Sequence, residues 1–324
     1  MKILPLSSGD LVADRRADYA EMLRDGGDVA AAADLMRDTV AIAPGWVAGW
    51  FRLGEMLDEA GRPGEAVEAW REALRLDPAD RLGASLKLEL AGVLAVSEMP
   101  PSGFVETLFD QYAGDFDAAL VERLGYRVPE LIAEAIAASG RTAFAHAVDL
   151  GCGTGLMGER LRRVASFLEG IDISAGMLAR ARAKGVYDRI EQGDLQMLAS
   201  GTDHVDLVTA ADVLIYLGRL ERVFGAVAAM LAPGGLFAFS VENHAGPEDL
   251  ILRESRRYAH SRRYVAELLE ASGFDVVSME QAHLRSDRGA PIAGLVVLAT
   301  RRSSTSAMVI AGETGDEALT PAVH

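Results

Sequence analysis

Two spacings of apolar residues divide this chain. In its first third, apolar residues fall at helical intervals, and Ala43-Pro44 and Asp77-Pro78 stand 34 residues apart, the period of a repeated helix pair. Counting back from Pro78, the packing positions of one repeat hold Trp50, Leu53, Gly54, Leu57, Ala66, Trp70 and Ala73. The register ending at Pro44 keeps Tyr19, Ala20, Leu23, Ala32 and Met36. Trp46, Trp50 and Trp70 read as core packing. Leu82 to Val96 predicts a further helix closing the stack, because one repeat cannot bury its own apolar face. Residues 97–103, with Pro100-Pro101, read as a linker.

Beyond the linker, short β-rich runs alternate with helical patterns. The runs are Ala145 to Leu150, Phe167 to Ile171, Arg189 to Glu191, Asp206 to Thr209, and Gly235 to Ser240 after the turn Pro233-Gly234. Strands alternating with helices imply right-handed βαβ units and a parallel sheet, an α/β fold. Two later runs, Phe274 to Leu284 and Ile292 to Thr300, are joined by Arg285 to Pro291. That connection is too short for a crossover helix, so the pair should form an antiparallel hairpin.

The first strand leads into Gly151-Cys152-Gly153-Thr154-Gly155 and then a helical pattern from Leu156. Strand, glycine turn and helix start mark the place where open α/β sheets bind a nucleoside, since a Cβ there would collide with the ligand. Asp172 ends the second strand, where a carboxylate can accept hydrogen bonds from both ribose hydroxyls. Asp194 ends the third and suits an adenine amino group. Gly153 to Gly158 also fits the dinucleotide pattern G-x-G-x-x-G, so an NAD-dependent oxidoreductase is an alternative. That frame begins two residues after the strand has ended, and the terminal hairpin does not suit the usual dinucleotide fold.

Taken together, Asp149-Leu-Gly-Cys-Gly-Thr-Gly155, Gly170-Ile-Asp-Ile-Ser174, Gly193-Asp194 and Leu231-Ala-Pro-Gly-Gly235 resemble the successive motifs of class I S-adenosylmethionine-dependent methyltransferases. The resemblance runs over about residues 104–302. Phe104 to Asp117, Leu124 to Pro129 and Arg257-Tyr258-Ala-His260-Ser261 are similar to a narrower group, bacterial predicted methyltransferases with N-terminal tetratricopeptide repeats. The resemblance implies a Rossmann-like, mostly parallel seven-stranded sheet of order 3-2-1-4-5-7-6, its last strand antiparallel. The expected organisation is an all-α tetratricopeptide-repeat module over 1–96, linker 97–103, methyltransferase domain 104–302 and a disordered tail 303–324.

What the resemblance implies for chemistry is methyl transfer from S-adenosyl-L-methionine, leaving S-adenosylhomocysteine. The cofactor residues it implies are Tyr112, Asp149, Gly151, Gly153, Gly155, Asp172, Ile173, Met177, Asp194, Leu195 and Asp212. It also implies that Phe109-Asp110, Tyr112 and Phe116-Asp117 belong to a helix lying across the methionine portion of the cofactor. Phe109, Tyr112, Phe116 and Leu120 equally form a packing stripe at helical spacing.

Ligands of open α/β sheets sit outside the carboxyl ends of the strands. Asp212, Tyr216, Glu242, Asn243, His244, Tyr258 and His260 therefore mark the expected substrate rim in loops. In-line displacement needs mainly alignment, and a base only where the nucleophile is protonated. His260 is the candidate base, preferred over His244 for its place in the resembling segment, with Tyr216 beside it. Cys152 reads as a small loop side chain rather than a nucleophile. His244 with Glu242 reads as a polar loop, and no metal site is expected.

The chain of 324 residues has a net charge of −16, which argues against a nucleic-acid surface. The basic cluster Arg253, Arg256, Arg257, Arg262 and Arg263 reads as the solvated flank of a helix rather than an anionic-substrate contact. No apolar stretch approaches the roughly 20 residues that cross a bilayer, and Met1 to Asp10 is too polar for a secretory signal. A single cysteine suits a reducing compartment, so the expectation is a cytoplasmic enzyme. Its acceptor, a small molecule or a protein, is left open, and the repeats are expected to recruit a partner or second subunit. A repeat adaptor with a non-catalytic nucleoside-binding domain is the first alternative to the enzyme, ahead of the oxidoreductase.

Overall fold

A computed structural model describes residues 7–97, 99–114, 125–198, 205–287 and 289–303. The N-terminal module consists of α1 (Leu11–Asp25), α2 (Val29–Ile42), α3 (Val47–Glu59), α4 (Pro63–Leu76) and α5 (Ala84–Leu90). Asp10 and Asp28 cap α1 and α2 by accepting from free N-terminal amides, and Pro63 opens α4 where its missing N–H is harmless. Both predicted helix pairs are present, packed around Met36, Met56, Leu57 and Trp70. The helix expected over Leu82 to Val96 is shorter. It stops at Leu90 because Gly92 takes a left-handed φ of 71°, and Val93, Leu94 and Val96 find nothing to pack against.

The expected linker is held at Pro100 and passes into a helix. Gln196 Nε2 donates to Pro100 O at 2.9 Å, and α6 (Ser102–Tyr112) already begins at Ser102. Then come α7 (Val128–Ala138), β1 (Phe144–Leu150), α8 (Leu156–Leu161), β2 (Ala165–Asp172), α9 (Ala175–Lys184), β3 (Arg189–Gln192) and β4 (Val205–Ala210). The chain continues through α10 (Glu221–Met230), β5 (Leu231–His244), β6 (Leu250–Leu252), β7 (Tyr258–Ser261), α11 (Arg262–Ala271), β8 (Phe274–Asp287) and β9 (Ala290–Arg301).

The long strands lie in the order β3-β2-β1-β4-β5-β9-β8. This is the order the resemblance implies, with β9, the last in sequence, antiparallel to β5 through Phe237↔Ala299 and its neighbours. Neighbouring pairs from β3 to β5 are parallel, as βαβ connections require. One face packs Phe224, Phe237 and Phe239; the other packs Ile132, Leu168 and Leu298. Both faces are covered, which is why these strands read as nearly continuous apolar runs.

Two short strands were not anticipated. β5 runs on past its pairing with β4 to His244, and there β7 joins it, with β6 antiparallel to β7. Glu242, Asn243, Tyr258 and His260, expected in rim loops, are strand residues, because the backbone groups of the overhanging β5 need partners. The hairpin also meets the helical module: Leu86 of α5, Phe104 of α6, Leu250 and Tyr258 share one small core. No helix among the described residues is long and apolar enough to cross a membrane. The expected tail lies, from residue 304 on, outside the described residues.

The tightest approach in the module is α3 on α4. A Cβ added to Gly54 would stand 2.2 Å from Trp70 Nε1, and Ala66 is 0% exposed. Gly54→Val should therefore overpack the contact and destabilise the module by about 1–3 kcal/mol, read as a lower urea midpoint by tryptophan fluorescence. An unchanged midpoint would mean that the two helices do not approach in this way.

Candidate active site

A cleft of about 630 Å³ opens at the carboxyl ends of the parallel strands. Its floor is the turn after β1, where Gly151, Gly153 and Gly155 all take left-handed φ angles of 65°, 53° and 93°. Gly151 has a second constraint, since a Cβ there would lie 2.3 Å from Val213. A Cβ on Gly153 would meet nothing within 4 Å; the space beside it is the cleft itself.

Asp172, at the tip of β2, accepts from the backbone N–H of Gly153 and of Ser174, each at 2.8 Å. A carboxylate has about four lone-pair sites, so two are left for the hydroxyls of a ribose. Asp194 sits in a smaller recess of about 40 Å³ with Ile173 and Leu195. Its oxygens accept from Gln196 N at 2.8 Å and Ser102 Oγ at 2.5 Å, each keeping one further acceptor site. Met177, Asp212 and Tyr112 also line the larger cleft, Tyr112 with 60% of its surface exposed. These residues fit a nucleoside laid across the glycine turn.

The segment α6 roofs this site. Asp110 accepts from Ser174 Oγ at 2.6 Å and Gly176 N at 3.0 Å, pinning the helix to the start of α9. Phe109 meets Tyr216 edge-on, ring centres 5.1 Å apart. Phe116, Asp117 and Leu120 lie outside the described residues.

Beyond Tyr216 the wall is built from arginines. Arg285 is 2% exposed and bridges Asp212 and Glu242. Arg257 donates to Tyr216 Oη at 3.2 Å and Asp287 at 3.0 Å. Arg253 donates to Asn243 O at 2.7 Å and lies 3.4 Å from Glu242. Arg256 completes the set. Burial pushes the Asp212 carboxyl up, against the pull of Arg285. The cluster that reads as a solvated helix flank is thus, at Arg253, Arg256 and Arg257, part of the cleft. The composition of the cluster was visible in sequence; the hairpin that turns it inward was not.

Several expected site residues are elsewhere. Asp149 is buried below the glycine turn, accepting from Tyr187 Oη at 2.7 Å and Thr209 Oγ1 at 2.8 Å, so it supports the floor and does not face the cleft. Gly155 sits behind the turn against Tyr187. His260, expected as the base, is 0% exposed, outside the cleft lining, and bonded through Nε2 to Gly218 O at 2.8 Å. Tyr258 points to the helical module, donating to Glu89 at 3.2 Å. His244 accepts from Gly246 N at 3.1 Å in its own turn. Cys152 is buried, which pushes its thiol up and leaves it no thiolate at neutral pH.

Comparison with known proteins finds matches for two parts of the chain. Residues 148–239 match the family described as a methyltransferase domain, and residues 47–80 match the tetratricopeptide repeat. The chain is 32% identical over 93 residues to a malonyl-[acyl-carrier protein] O-methyltransferase of Pectobacterium atrosepticum, covering 29% of this chain and 37% of that protein. It is 32% identical over 145 residues to a trans-aconitate 2-methyltransferase of Delftia acidovorans, covering 43% of this chain and 54% of that one. The chain thus spans between 37% and 54% of the length of these relatives. A crystal structure of an S-adenosylmethionine-dependent methyltransferase from Mesorhizobium loti is 27% identical, with a TM-score of 0.42, over 52% of this chain and 98% of that one.

Asp149 and His260 give the chain two opposed pH dependences. Burial raises the Asp149 carboxyl to about 7, and burial lowers the His260 imidazole to about 4. Between about pH 4 and 7 folded Asp149 keeps a proton that the unfolded chain has released, so stability falls as pH rises through that window. His260 acts oppositely: below about pH 6.5 the unfolded chain takes up a proton first, so stability falls as pH drops toward 4. In Asp149→Asn only the first dependence is removed. The stability of the variant relative to the parent should rise by up to about 1.4 kcal/mol per pH unit across that window, then level off. Urea titrations across the range check this; a difference flat in pH contradicts it.

Proposed function

We infer from the methyltransferase domain and the tetratricopeptide repeat of this chain that it transfers a methyl group from S-adenosylmethionine to an acceptor held in the arginine-walled cleft. The observation that carries the reading is Asp172, tied to the Gly153 amide and aimed at cleft space that only a glycine turn leaves open. S-adenosylmethionine, when bound, supplies an electrophilic methyl on a sulfonium centre. Asp172 would hold the ribose hydroxyls, Asp194 with Ile173 and Leu195 the adenine, and Met177 with Tyr112 the methionine side. The antiparallel β9 inside the sheet favours this reading over a dinucleotide-dependent oxidoreductase.

The protein's part in the reaction is alignment. Tyr216 stands where the smaller recess meets the larger cleft, with Phe109 against its ring and Arg257 on its hydroxyl. Tyr216 Oη accepts from Arg257 and donates to no other described residue, so its hydrogen can orient an acceptor. His260 has no role in this scheme, because its ring is enclosed. The helical module serves protein interaction through α1, where Leu11, Tyr19 and Met22 lie exposed, while its other end is occupied by the methyltransferase domain.

Asp172→Ala should weaken S-adenosylhomocysteine binding by roughly 1.5–3 kcal/mol, measured by calorimetry. Asp194→Ala should cost less. Unchanged affinity in the Asp172 variant, or tighter binding of NAD than of S-adenosylhomocysteine by the parent, would overturn the assignment.

A further inference from the structure

Among the described residues four arginines line the cleft, and three are matched by carboxylates: Arg285 by Asp212 and Glu242, Arg257 by Asp287, Arg253 by Glu242. Arg256 has no carboxylate within ion-pair distance among the described residues. The one hydrogen bond of its guanidinium there is from Nη1 to Leu82 O at 2.9 Å, although the group carries five donors. The group lies over the Phe104 ring at 4.5 Å and the Phe51 ring at 5.9 Å. Glu55 and Asp80 act on it only through space, and burial pulls its affinity for the proton down.

The backbone at this position adds a second observation. The turn joining β6 to β7 is closed by Arg253 N to Arg257 O at 2.9 Å and Arg256 N to Arg253 O at 2.7 Å. It leaves Arg256 in the left-handed region, φ 60°, where glycine or asparagine is the ordinary occupant and other side chains are strained. Strained positions of this kind persist at ligand clamps, where the surroundings over-determine them. An apolar side chain would fill the gap between Phe51 and Phe104 without the cost of desolvating a charge.

We propose that the methyl acceptor bears an oxyanion, a carboxylate or a phosphate, and that Arg256 is the residue that receives it. This rests on the methyltransferase reading and names the acceptor class for the same cleft. The planar fork of Arg256 matches either oxyanion, and the bound anion supplies the missing counter-charge. Apolar neighbours in the cleft, among them Leu108, Tyr126 and Ile292, would hold the rest of the acceptor. Since Phe51 and Leu82 belong to the helical module, that module aims the receiving arginine.

The test uses the full chain saturated with S-adenosylhomocysteine and titrated with benzoate, phenyl phosphate and neutral benzamide. At least one anion should bind about tenfold or more tighter than benzamide, the tighter of the two telling carboxylate from phosphate. Arg256→Gln should lose about tenfold of that affinity or more, Arg256→Lys should keep part of it, and S-adenosylhomocysteine affinity should stay within about twofold. In the parent, the Arg256 Nε–H resonance should shift as the anion is added, a reading that needs no variant. Equal binding of anions and benzamide overturns the proposal. So does an Arg256→Gln variant with a lowered unfolding midpoint but unchanged anion affinity, which would make Arg256 only a pin between domain and module. Failure of the parent to bind S-adenosylhomocysteine would instead overturn the methyltransferase reading.

Discussion

One buried guanidinium holds the working end of the sheet together. Arg285, on β8, reaches the carboxylates that close β4 and β5, Asp212 and Glu242. Without it, Asp212 would lose its buried ion pair and Glu242 would keep only Arg253, 3.4 Å away; removing one partner of a buried ion pair costs on the order of 3–5 kcal/mol. Asp212 is held further, by a bond of its amide to Ser240 Oγ at 2.9 Å and by a left-handed φ of 57°. The cleft wall therefore keeps its shape only while β8 delivers this one side chain.

The delivery depends on an irregularity in the hairpin. Between His283 and Arg285 the pairing of β8 with β9 slips by one residue, so Leu284 and Arg285 are both turned inward. A bulge re-aims a side chain in this way, and strict alternation would have sent one of the two outward. This is also why Arg285 reads, from sequence, as the first residue of a polar connection. The acids Asp212 and Glu242 at successive strand ends were a usable signal that a buried cation must come from somewhere.

What was legible in the sequence was local. The glycine turn announces itself because left-handed φ angles need glycine, the long strands by their apolar runs, and the repeats by their period. β6 and β7 have three and four residues, too few for a period to show, so the hairpin carrying Arg253 to Arg257 was missed. Asp149 and His260 look like site residues because they stand beside motif positions; only tertiary packing reveals that both are sealed in. The same packing ties the helical module to the cleft wall, through Phe51 and Leu82 against Arg256 and Glu89 against Tyr258, where periodicity suggested a separate appendage.

A crystal structure of the full chain with S-adenosylhomocysteine tests the central claim most directly. The account places the ribose on Asp172, the adenine in the recess of Asp194, and the sulfur end toward Tyr216, leaving the arginine wall open for the acceptor. A ligand whose ribose lies away from Asp172, or whose adenine fills the arginine-walled cleft, would contradict it.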